Sequence, residues 1–111
     1  MRIEGKNNIS MTRGDSETIT VSCQERPFTE GDKITFTVRF TPSSKEKEIE
    51  KNVTEFTEDG KAIIEILPED TAKMAFGKYR YDIQLTGADG AVTTIIKPAE
   101  FRIEEEVTYD G

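Results

Sequence analysis

Few side chains in this sequence could cooperate in covalent or acid–base chemistry. There is no histidine and a single cysteine, Cys23, so neither a Ser/His nor a Cys/His nucleophile pair can form. Cys23 closes the alternating run "TITVSC" on its inward side, where a thiol acts as a small hydrophobe rather than as a thiolate. Glu69 and Asp70, in "LPEDTAKMAFG", are a carboxylate pair of the kind that does acid–base work. Two carboxylates behind a proline also suit the first turn of a helix, whose macrodipole favours them there. "TEDGK" (57–61) and "TGADG" (86–90) gather hard oxygen ligands, but without the dense spacing of a dedicated calcium loop. The residues therefore read as a non-enzyme: no catalytic, cofactor-binding or metal residue is assigned, and no cofactor is expected.

Arg13-Gly14-Asp15 is the one short motif with an adhesive chemistry. In an exposed loop, Asp15 could be offered to the metal of an integrin. The same residues also make a corner before a strand: Gly14 turns, Asp15 or Ser16 bonds the backbone, and Arg13 is solvated. The corner is the preferred reading, because so short a motif recurs by chance and nothing marks the chain for delivery to animal tissue. The sequons Asn8-Ile9-Ser10 and Asn52-Val53-Thr54 carry little meaning without secretion.

The elements that must position these residues are strands. At 111 residues the chain has the size of one domain, 1–111, and can bury roughly two-thirds of its unfolded surface. Its 22 acidic and 15 basic residues give a net charge of −7, which repels phosphate backbones and anionic lipid heads and points away from nucleic acid and membranes. One cysteine leaves no intrachain disulfide. The N-terminus lacks the apolar run of a signal peptide, and no stretch is long enough for a membrane span. A start at Met1 is read as that of a complete frame made and kept in the cytoplasm.

Hydrophobic residues are 34% of the chain and charged residues 33%, yet the apolar residues fall in short period-2 runs. Ile19, Val21 and Cys23 share one face of 17–23. Ile34, Phe36, Val38 and Phe40 share one face of 33–40, a grouping that a helix would scatter. Two hairpins are predicted: 48–56 with 61–67 around "TEDG", and 78–85 with 91–97 around "TGADG", with Gly60 and Gly90 supplying φ > 0. Pro98 lacks a ladder donor, so the last strand should bulge or change neighbours there before resuming with Phe101, Ile103 and Val107 inward. Residues 68–77, with Pro68 early and Gly77 at the close, read as one or two helical turns crossing between sheets. With a piece near 8–11, these sum to about seven strands. The fold expected is all-β, an immunoglobulin-like antiparallel sandwich with one short helical crossover.

The segments "RGDSETITVSC", "DKITFTVR" and "LPEDTAKMAFGKYRYDIQLTGADGAVTTIIKPAEFRIEEEVT" together resemble the immunoglobulin-like N-terminal domain of siphophage baseplate upper proteins and related small prophage tail proteins. The resemblance runs from Arg13 to Thr108. It implies a structural or assembly domain of a phage or prophage tail or baseplate, acting through contacts with other phage structural proteins. It also implies a location in the virion, or in the bacterial cytoplasm before assembly. A surface-displayed adhesin-like or carbohydrate-binding module is the alternative. Tyr79, two residues after Gly77, fits a tyrosine corner better than Tyr81, and both rings are expected in the core with Ile83 and Leu85. Association is expected at strand edges, with 8–11 and 91–107 as candidates and the tail "EEEVTYDG" second to them. In isolation the domain should be a monomer or a weak homo-oligomer.

Overall fold

Period-2 alternation can bury its apolar face only if a second layer covers it, and the strands divide accordingly. The computed structural model describes residues 2–4, 7–23 and 25–105. In chain order the elements are β1 (Arg2–Glu4), β2 (Asn8–Thr12), β3 (Glu17–Val21), β4 (Lys33–Arg39), β5 (Ile49–Val53), β6 (Ala62–Ile66), α1 (Pro68–Thr71), β7 (Gly77–Thr86) and β8 (Val92–Glu104). Six strands form one sheet in the order β1-β2-β8-β7-β4-β5, and β3 pairs with β6 in the other. This is an all-β sandwich with a short helical crossover. It has eight strands among the described residues where about seven were expected. One pairing, β2 with β8 from Ile9↔Phe101 to Thr12↔Glu104, is parallel rather than antiparallel.

The core lies between the two sheets. Ile34, Phe36 and Val38 of β4 are fully buried, as are Ile83, Phe101 and Ile64. Each such side chain contributes about 1.5–3 kcal/mol relative to exposure. Phe36, Tyr81 and Phe101 form an aromatic cluster with centroids 5.5 to 6.2 Å apart. Phe40 departs from the expected face: β4 ends at Arg39, and Phe40 is 65% exposed. It lies edge-on to the Tyr79 ring at 6.0 Å.

The expected hairpin of 48–56 with 61–67 does not form as a ladder. Its turn does: Gly60 N donates to Thr57 O and Thr57 N donates to Lys61 O. The flanking strands then part, β5 pairing with β4 and β6 with β3. The 25–32 loop lies against this turn, with Phe28 N donating to Gly60 O and the Phe28 and Phe56 rings 5.5 Å apart. A Cβ at Gly60 would stand 2.3 Å from Pro27 Cβ. Sending Ala62, Ile64 and Ile66 to the small sheet covers the apolar face that a single sheet would leave wet.

The second hairpin forms as expected, β7 and β8 pairing from Thr86↔Val92 down to Gly77↔Ile103. Register shifts fall between Ile83 and Gln84 and between Tyr81 and Ile83. The second places Pro98 in the extra length between Ile96 and Ala99. β8 continues through it as one strand, and only the part beyond Pro98 gains β2 as a second neighbour. Val107 lies outside the described residues.

The crossover holds one helical turn, Pro68–Thr71, within the 68–77 segment expected to hold one or two. Pro68 opens it, Asp70 Oδ2 accepts the Leu67 N–H at 2.7 Å, and Met74 N donates to Thr71 O. Among the described residues no helix is long and apolar enough to cross a membrane.

Candidate interaction surfaces

The Arg13-Gly14-Asp15 corner joins β2 to β3 and is fastened to the crossover. Gly14 has φ 85°, the left-handed region a glycine tolerates, and Asp15 N closes the turn on Thr12 O at 3.2 Å. Gly14 N donates to the hydroxyl of the fully buried Thr71 at 2.8 Å. Arg13 is not simply solvated, as expected from the sequence. Its guanidinium lies 4.2 Å from the Phe76 ring centroid, donates to Met74 O at 3.4 Å, and its backbone N–H bonds Glu104 O. Asp15 is exposed, but its arginine partner is committed to the crossover, so the tripeptide works as a structural corner.

Both tyrosines are buried. Tyr79 Oη donates to Ala75 O, four residues back, at 2.8 Å, which is the bond of a tyrosine corner. Tyr81 Oη donates to Asn7 O, tying the turn before β2 to the core. Burial pushes the Tyr81 hydroxyl up to about 12 and, with Glu48 nearby, raises that of Tyr79. Cys23 lies past the end of β3, half-buried against the core rather than sealed in it. Asp70 is held by Lys51 Nζ at 2.7 Å and by the Leu67 N–H, so of the Glu69/Asp70 pair Asp70 serves the crossover. Asp59 is bonded by Thr57 and by Lys61, and Asp89 accepts the Ala91 N–H at 3.0 Å, so both acidic turns use their carboxylates internally. The described residues hold no group of three or more metal-ligating side chains.

Of the two strand edges expected, 8–11 is not open and 91–107 is open in part. Residues 8–11 belong to β2, which is enclosed between β1 and β8. Among the described residues the open edges are β1, β5 and the outer sides of both strands of the small sheet. Among the described residues, 92–98 of β8 likewise have no strand partner on the side away from β7, since β2 pairs with 101–104. Between the free side of β3 and this stretch runs a cleft of about 290 Å³, walled by Ile19, Val21, Ile95 and Ile96 on its apolar part and by Asn7, Thr20 and Ser22 on its polar part.

Two charged arrangements escaped sequence reading. Asp32, buried at a loop end, takes a two-pronged contact from Arg26 (2.7 and 3.2 Å) and the Thr29 N–H at 2.9 Å. These bonds, Arg26 foremost, hold its carboxyl below the usual range. The residue types give no signal for a pair six positions apart in a loop. On the outer face of the large sheet, Arg39 and Arg80 stand opposite each other in register, lining a small cleft with Asp82 between Pro42 and Pro98. Alternation marks both arginines as outward; Arg80 stays exposed and Arg39 is half-buried, with Pro42 and Pro98 beside them.

No family model matches the chain, and no curated protein matches it. Fold and surfaces define an all-β sandwich domain with open strand edges among the described residues.

Proposed function

We propose that this chain is a non-enzymatic assembly domain of a phage or prophage tail or baseplate, acting in the virion through protein–protein contacts. One observation carries the reading: among the described residues β3 has no strand on its outer side, and a cleft of mixed lining that includes Ile19, Val21, Ile95 and Ile96 lies beside it. An added strand would satisfy the backbone groups along β3 and cover the half-buried Ile95 and Ile96. The fitting occupant is an extended segment of another tail protein, with apolar side chains at every second position to enter the cleft. A net charge of −7 on each copy works against self-pairing and favours a neutral or basic segment.

Co-expression with the products of the flanking genes, followed by sedimentation, tests this. Ile95→Lys places a charge in the cleft and should abolish co-sedimentation while the melting temperature stays nearly unchanged. Complexes that survive this variant would rule out strand addition beside β3. Flanking tail, baseplate or holin genes support the setting, whereas a sortase or cell-wall operon would transfer the reading to a surface-displayed adhesin-like or carbohydrate-binding module.

A further inference from the structure

The outer face of the large sheet carries a second, independent feature. Arg39 and Arg80 are a directly opposed cross-strand pair of like charge, an arrangement that costs stability unless something relieves it. Neither guanidinium makes a salt bridge or hydrogen bond among the described residues, and Arg39 Nη1 is buried without a partner. A buried donor left unsatisfied is costly in a domain with 22 carboxylates to offer. Two of the neighbouring carboxylates are engaged elsewhere, Glu50 with Lys47 and Glu100 with Arg102 at 3.2 Å. Asp82, diagonal to Arg39, is not within ion-pair distance, and its burial raises its pKa while Arg39 pulls it back. The cleft between the two arginines has about 40 Å³, room for one small group, and Pro42 and Pro98 form walls with no N–H of their own.

The geometry points to a carboxylate-binding site here, with the guanidinium forks of Arg39 and Arg80 as donors to a single carboxylate group. Planar guanidinium and planar carboxylate match in a way an ammonium does not. The small volume, and Asp82 in the wall, select a monoanion over a phosphate dianion. The carboxylate can belong to a free small acid or to the C-terminus of a protein partner.

Titration of the full chain, followed by NMR of the arginine Nε–H signals at constant ionic strength, tests the site. The probes are acetate, a short peptide with a free C-terminal carboxylate, its amidated twin, and inorganic phosphate. Saturable shifts confined to Arg39 and Arg80 are expected with acetate and the free-acid peptide, and not with the amide. Peptide binding about tenfold tighter than acetate assigns the site to a protein terminus, while equal affinities assign it to a free acid. Arg39→Gln, and Arg80→Gln should the first variant lose its fold, should weaken binding by at least about tenfold. Shifts that never saturate, shifts unchanged in both variants, or phosphate binding more tightly than either carboxylate would overturn the assignment. Ile95→Lys alters a different cleft and should leave this titration unchanged, so the two proposals fail separately.

Discussion

Tyr79 shows how much one hydroxyl can carry. Its ring packs in the core wherever β7 packs, but its bond to Ala75 O is what holds the end of the crossover against the strand. Tyr79→Phe keeps the ring and should cost on the order of 0.5–1.5 kcal/mol, more if the carbonyl finds no other donor. Denaturant unfolding with an unchanged m value would measure it, and a cost near zero would mean the corner is not made. Tyr81 yields a pH prediction. Its folded-state value of about 12 lies above the ordinary 10.0, so the folded state holds this proton more tightly than the unfolded state. The associated stability is fully present below pH 10 and is lost as pH rises through about 12, on the order of 2–3 kcal/mol in all. Tyr79 shifts in the same direction. Unfolding measured across the alkaline range should fall steeply in the native chain and less so in Tyr81→Phe.

Among elements, the four-residue helix does more than its length suggests. Too short to be stable alone, it is held by Lys51 on Asp70, by Asp70 on the Leu67 N–H, and by Thr71 on Gly14. It therefore clamps the β2–β3 corner to the β6–β7 crossover. Thr71→Val keeps the shape but leaves the Gly14 N–H without its acceptor, and should cost about 1–3 kcal/mol. Amide exchange should then accelerate at the corner before it does in β4 or β7. Uniform acceleration would show that corner and crossover are not coupled through this bond.

For the whole molecule, the net charge and the open edges pull in opposite directions. Exposed backbone beside β3 invites another strand, and repulsion between acidic copies opposes self-pairing. The isolated domain should sediment as a monomer or a weak dimer, and added salt should strengthen any self-association by screening that repulsion. Binding of a partner strand, driven by backbone hydrogen bonds and apolar burial, should survive high salt. A complex that dissolves at high salt would instead place the contact on charged groups such as the acidic C-terminal tail.

Short-range physics in the chain determined most of the elements. The alternation of Ile34, Phe36 and Val38 allows only a strand, Gly60 and Gly90 set their turns, Pro68 opens the helix and Pro98 displaces the register. The Tyr79 corner was legible from its spacing after Gly77 for the same reason. Long-range choices were not legible. A turn at Gly60 suits a hairpin or a change of sheet equally well, and only the need for a second layer sent β6 to β3. Residues 8–11 look like an edge when read along the chain, and only the arrival of β1 on one side and β8 on the other encloses them. The cleft at Arg39 and Arg80 was not legible, because periodicity tells which way a side chain points but not what comes to stand over it. Packing brought Pro42 and Pro98 to that place, because the free energy of covering a face depends on residues far apart in sequence and close only once the sandwich has closed.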